Sequence, residues 1–280
     1  MPAGFNMFDA SGHLLIDAER LYYGLVWSGY AEPAPNGFWA GLDDDPLHKV
    51  EVLNCKFPVL YISGEGTLVS IIRNGNLTTF EIYGYAPIPS DDYYIWNIYP
   101  PGITHPSNPA PKCYVFDLMR ANKEHFGIEI LSQDGTPVFN SNMPPLNAAA
   151  SVMPPPVAGI SSRPYTKIGY DQWSFDTSPS SQYAFTCSIS MASLGLSTSR
   201  EYAYHMPWSR GAQAYGQGDD YNVWESVATG NGRVGFYWQF DVFTPQVLNP
   251  GGGEVIYGVH PNRVAASLID VTDLPFPFSY

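Results

Sequence analysis

Apolar positions along this chain come in short runs cut by turn residues, and few repeat at the three-and-four spacing of an amphipathic helix. Residues 50–62 read VEVLNCKFPVLYI and residues 67–73 read TLVSIIR, both rich in the β-branched and aromatic side chains that suit a pleated surface. Asn74-Gly75-Asn76 joins the second run to LTTFEIYGY at 77–85. Asn-Gly between two such runs predicts a tight hairpin, because both residues tolerate positive φ. Further strands are predicted at 93–99 (YYIWNIY), 183–190, 233–243 and 254–259. Helical signals are confined to 117–125 and 219–229. Many short strands without alternating long helices predict a mainly β chain, an antiparallel β-sandwich or jelly-roll rather than βαβ units.

One stretch breaks the pattern. Residues 142–159, NMPPLNAAASVMPPPVAG, combine two proline clusters with small residues, a composition that favours extended, semi-rigid chain. It predicts a Pro/Ala-rich linker at 146–157 between an N-terminal β-sandwich domain (1–145), with hairpins at both ends, and a C-terminal β domain (158–280). A long loop within one domain is the competing reading.

Composition narrows the function classes. Charged residues make up 14% of the chain, against roughly 25% in ordinary soluble domains, while aromatics reach 15%. The formal net charge is −13 and the basic residues are scattered singly. Nucleic acid binding needs clustered Lys or Arg to displace counterions from phosphates, so no nucleic acid partner is expected. An anionic membrane surface repels such a chain, and no apolar run is long enough to span a bilayer, so membrane insertion is not expected either. The opening MPAGFNMFDASG lacks the basic and apolar segments of a secretion signal, which predicts synthesis in a cytoplasm without export. Cys55, Cys113 and Cys187 are odd in number and far apart, so no disulfide framework is expected, and Cys187 reads as a buried free thiol.

Motifs that carry chemistry are scarce in the chain. Gly64-Glu65-Gly66 lacks the third glycine of a dinucleotide loop and reads as a turn; Gly251-Gly252-Gly253 lacks the Lys-Ser/Thr of a phosphate cradle. The six histidines are dispersed without zinc-ligand spacing. Asp43-Asp44-Asp45, Asp91-Asp92 and Asp219-Asp220 sit in turn-like contexts and read as solvated turn residues, with loop Ca²⁺ binding and paired-carboxylate catalysis as the sharper alternatives. No catalytic, cofactor-binding or metal-ligating residue is assigned, and no cofactor is expected. Aromatic residues are the stronger signal. Trp208, Tyr215, Tyr221 and Trp224 fall in an irregular stretch with Gly and Asp, and Trp39 follows Asn36-Gly37-Phe38. Such rings can pin a long loop to the core, form a subunit interface, or stack on the C–H face of a sugar while neighbouring polar groups take its hydroxyls.

The chain also echoes itself. Gly4-Phe5-Asn6-Met7-Phe8, Asp9-Ala10-Ser11-Gly12 and His13-Leu14-Leu15-Ile16-Asp17 form a strand, a polar turn ending in glycine, and a second strand closed by Asp or Asn. Gly127-Ile128-Glu129-Ile130-Leu131, Ser132-Gln133-Asp134-Gly135 and Thr136-Pro137-Val138-Phe139-Asn140 repeat the scheme. These segments, with Tyr114-Val115-Phe116-Asp117 between them, resemble small tail proteins of long-tailed bacteriophages, in which one such hairpin opens the chain and a second follows a Y-x-F-D stretch. The resemblance covers about residues 1–146. It implies a non-enzymatic structural virion protein of the tail tip, baseplate or tail-fibre region. Other tail proteins and further copies of itself are the implied partners, in a homo-oligomer. It brings no catalytic residues with it. The C-terminal half has no counterpart in the resemblance; by analogy, an added domain on a tail protein reads as a carbohydrate-binding host-adhesion module.

Overall fold

A computed structural model describes residues 6–8, 14–17, 21–33, 47–83, 100–103, 110–121, 126–158, 164–175, 183–216, 219–240 and 255–280. The strands of the first half are β1 (Asn6–Phe8), β2 (Leu14–Asp17), β3 (Tyr23–Tyr30), β4 (Glu32–Pro33), β5 (Leu47–Leu53), β6 (Val59–Ser63), β7 (Glu65–Asn74), β8 (Leu77–Tyr83), β9 (Lys112–Leu118), β10 (Glu129–Leu131) and β11 (Pro137–Asn140). Those that follow are β12 (Ala148–Val152), β13 (Tyr165–Thr166), β14 (Trp173–Phe175), β15 (Tyr183–Ala184), β16 (Cys187–Ser190) and β17 (Tyr202–His205). The last are β18 (Gly211–Gly216), β19 (Asp219–Gly230), β20 (Arg233–Phe240), β21 (Val255–Tyr257), β22 (Ala266–Asp270) and β23 (Phe278–Ser279). The chain is mainly β, and its sheets are antiparallel.

Two large sheets carry the fold. A seven-stranded sheet runs β12-β22-β17-β6-β9-β3-β23, and a ten-stranded assembly runs β14-β16-β20-β19-β7-β8-β5-β4 with β18 and β21 attached beside β19. Both mix strands from either side of residues 146–157, so the chain does not divide there into two separately paired β units. The expected linker instead contains β12, which pairs with β22. Its proline clusters flank the strand and leave Ala148–Val152 free to donate along an outer edge, where proline-rich flanks are tolerated.

The sheets share one buried cluster, to which the first contributes Val26, Leu60, Ile62, Val115 and Leu268, and the second Val50, Phe80, Ile82, Val227 and Phe236. The chain crosses between them at Gly64, whose φ of 97° is open to glycine and strained for other residues. This is the structural role of the Gly-Glu-Gly segment. A second cluster covers the other face of the seven-stranded sheet, where Leu25, Tyr61, Tyr114 and Phe116 meet Leu274, Phe276 and Phe278 of the C-terminal segment. Burial on both faces explains why β9 reads as a continuous apolar run instead of alternating. The same segment is tied down along β3: Tyr280 N–H donates to the Val26 carbonyl (3.0 Å) and Ser28 Oγ to that of Pro275 (2.6 Å).

The predicted 74–76 turn closes the β7–β8 hairpin, with Gly75 at φ 59°. Residues 50–62 hold two strands, β5 and β6, because the chain turns at Asn54 (φ 57°) before Pro58. Both helical expectations are overturned. Asp117 and Leu118 end β9, and 122–125 lie outside the described residues. The 219–229 stretch is the long strand β19, in which Val223, Glu225, Val227 and Thr229 are buried on one face and Ser226 and Ala228 on the other. The strand at 93–99 also lies outside the described residues.

Candidate functional site

The loop between β17 and β18 is anchored from beneath. Arg210 and Glu225 are both fully buried, and Arg210 Nε donates to Glu225 Oε2 at 2.6 Å while its Nη2 donates to Oε1. Tyr165 Oη donates to the same Oε1 at 2.8 Å, and the guanidinium lies 5.9 Å from the Trp238 ring centroid. Burial works against the Arg210 charge, but the hydrogen bonds and charge of Glu225 outweigh it and hold the guanidinium above its ordinary value. Burial, followed by the Glu225 charge, pushes the Tyr165 phenol well above its usual range and keeps it a donor. Backbone bonds complete the clamp: Glu225 N–H donates to the Arg210 carbonyl (2.9 Å), and Ser209 Oγ donates to the Glu225 carbonyl. A loop fixed in this way presents its outward side chains at little further ordering cost.

Trp208 is the outward side chain, 46% exposed, with its ring edge-on to that of His260 at 5.6 Å. Trp224 lies on β19 directly opposite Gly211, and the His260 N–H reaches the Gly211 carbonyl (3.5 Å). Gly211 thus pairs with Trp224 and, through His260, connects to Trp208, and the space where its Cβ would stand is open. Gln213 is in register with both Asn222 and Tyr257, which places these three side chains in one row across β19, β18 and β21. Their inward neighbours Ala212, Val223 and Ile256 are buried, so Gln213, Asn222, Trp224 and Tyr257 share the outer face.

Trp208, through His260, and Trp224, by strand pairing, are thus both linked to Gly211. Tyr215 and Tyr221 lie on β18 and β19, in register with Asp220 and Ala214 respectively, but their side chains lie outside the described residues, as does Trp39. Asp219 and Asp220 are strand residues and not the turn residues expected; the other two aspartate clusters lie outside the described residues. Sequence reasoning missed Gln213, Asn222, Tyr257 and His260. The alternation in GAQAYG and in DDYNVWESVATG was the available signal for the first two.

A second hollow, about 270 Å³, lies where β17 meets the β19–β20 turn and is lined by Ser63, Arg200, Glu201, Asn231 and Arg233 among others. Two of its charges are matched, since Glu201 takes Lys112 Nζ (3.0 Å) and Ser63 Oγ (2.7 Å) and Arg200 is held by Asp270 and Asp273, while Arg233 donates to Ser188 Oγ (2.9 Å) and Ser174 Oγ (2.7 Å). Its lining supplies one carboxylate, where glycoside cleavage by an acid pair needs two facing each other. Among the described residues no group of three or more His, Cys, Asp or Glu is placed to hold a metal ion.

Asp117 of the Y-x-F-D stretch is a structural acceptor. Its buried carboxylate takes the backbone N–H groups of Lys56 (2.8 Å) and Phe57 (2.7 Å), fixing the turn between β5 and β6. The three cysteines are free, with Cys113 and Cys187 buried as expected of Cys187. Burial pushes the Cys187 thiol well above its usual range.

The two echoing segments are hairpins of one design. In β1–β2, Asn6 pairs with Asp17, Met7 with Ile16 and Phe8 with Leu14; in β10–β11, Glu129 pairs with Asn140, Ile130 with Phe139 and Leu131 with Pro137. Both shift register at the same step, before the last pair. The second hairpin leaves Phe126 (88% exposed), Ile128 and Leu131 on the surface, while Val138 and Asn140 are buried against the body. Comparison of the chain with family models, with curated proteins and with solved structures finds no match.

Proposed function

We propose that this chain is a structural component of a bacteriophage tail, in the tip, baseplate or fibre region, and that it works by assembly and surface contact without catalysis. The observation that carries this reading is the pair of hairpins matched in register and in bulge position. One constant offset along the chain relates all six paired positions of the first hairpin to those of the second. This agreement in backbone pairing adds to a resemblance that rests on the ordered pair of hairpin segments and the Tyr114-Val115-Phe116-Asp117 stretch between them.

The second hairpin supplies the contact surface of the proposal. Its exposed apolar side chains Phe126, Ile128 and Leu131 are the groups proposed to make protein–protein contact. Neighbouring tail proteins or further copies of the chain are the partners proposed for it, in a homo-oligomer. The body behind it reads as a sandwich or jelly-roll, a reading supported by the core that the two sheets share. Peptide mapping of purified phage particles tests the proposal: the chain is expected among the virion proteins in tail-like copy number, and its absence from intact particles would end the reading.

A further inference from the structure

We infer that the outer face of β18, β19 and β21, with the Trp208 loop at its border, is a binding site for a neutral polysaccharide. This goes beyond the tail reading and does not depend on it. The face combines two kinds of group in the arrangement a sugar polymer needs. Trp208, Trp224 and Tyr257 offer ring surface to the C–H faces of pyranose rings, and all three are exposed or half-buried. Gln213 and Asn222 are exposed amides, each able to donate to and accept from vicinal hydroxyls. They stand on adjacent strands about 4.8 Å apart, and Trp224 is two residues along from Asn222, roughly 6.6 Å at strand rise. Gly211 provides the open floor: it opposes Trp224, its carbonyl takes the His260 N–H, and the His260 ring meets Trp208.

Charge selects the ligand class. No Lys or Arg side chain stands on this face among the described residues, since Arg210 is turned inward onto Glu225. The chain as a whole carries −13. A polyanion finds neither a counter-charge nor a favourable field here, whereas a neutral polymer needs neither. The buried clamp beneath holds the Trp208 loop in place, so binding costs little reordering.

Affinity electrophoresis of the full chain through gels containing dextran, amylose, β-glucan, mannan or galactan tests this, with alginate as the anionic control. Retardation by at least one neutral polymer is expected. Trp208→Ala and the pair Gln213→Ala/Asn222→Ala should each weaken it about tenfold. Gly211→Leu, which fills open space, should abolish it with an unchanged melting temperature. No retardation by any neutral polymer, retardation indifferent to all of these variants, or a preference for alginate would overturn the assignment. Presence in the particle is read separately by peptide mapping, so the two readings fail independently.

Discussion

Arg210 and Glu225 form a two-point ion pair that excludes water completely, joining the start of β18 to the middle of β19. Removing one partner from such a pair strands the other charge in the core, at a cost of about 3–5 kcal/mol. Glu225→Leu or Arg210→Met alone should therefore destabilise the fold by that order in urea unfolding. The double replacement should recover most of the loss, because two apolar groups of similar volume need no desolvation compensation. A double variant as unstable as the sum of the singles would show that the pair is not the unit.

Two glycines should respond oppositely to the same change. A Cβ at Gly235 would stand 2.2 Å from Pro100 Cβ and 2.8 Å from the Cys187 carbonyl oxygen, whereas one at Gly211 meets nothing within 4 Å. Gly235→Ala should cost about 1–3 kcal/mol through overpacking. Gly211→Ala should stay within about 0.5 kcal/mol of the parent. Thermal melts of the two variants check the contrast.

Asn140 locks the second hairpin to the body. Its Nδ2 donates to the Arg120 carbonyl (3.0 Å) and to Tyr280 Oη, and its Oδ1 takes the Asn142 N–H (2.9 Å). Asn140→Ala removes these three bonds from partly buried partners, at about 1–3 kcal/mol. Hydrogen exchange should then show the earliest gain in residues 126–143 and in the C-terminal segment.

Burial lowers the His205 pKa below its ordinary 6.5, although its bond to the Leu60 carbonyl (3.0 Å) acts the other way. The unfolded chain therefore binds the proton more readily than the folded one. Stability from this group is complete above the unfolded value of 6.5 and is lost as pH falls from there toward the lower folded value. The melting temperature of His205→Gln should vary less with pH than that of the parent between about pH 5 and 7. Parallel curves would contradict this.

How much was legible in the sequence follows from how local each signal is. The β7–β8 turn and the echoing hairpins could be read because turn and strands lie within one short segment; Gly75 and Gly135 take the positive φ that their positions predict. The strand β19 was misread as helix because Glu225 interrupts its apolar alternation. Its neutralising partner Arg210 lies in the loop before β18, so the burial of that charge has no local signature. Residues 146–157 read as linker for a similar reason: β12 is defined by pairing with β22, far along the chain, and its own alanines carry little strand preference. Trp208 and Trp224 could be singled out as aromatic, but only the register of β18 with both its neighbours shows which amides stand beside them.

The role proposed for the chain is that of a tail building block, docked through the β10–β11 hairpin. A reconstruction of the intact phage tail at side-chain resolution tests it most directly. Density for this fold is expected in the tail, with Phe126, Ile128 and Leu131 covered by a neighbouring subunit. A tail fully accounted for by other proteins, or this chain in place with those three side chains facing solvent, would contradict it.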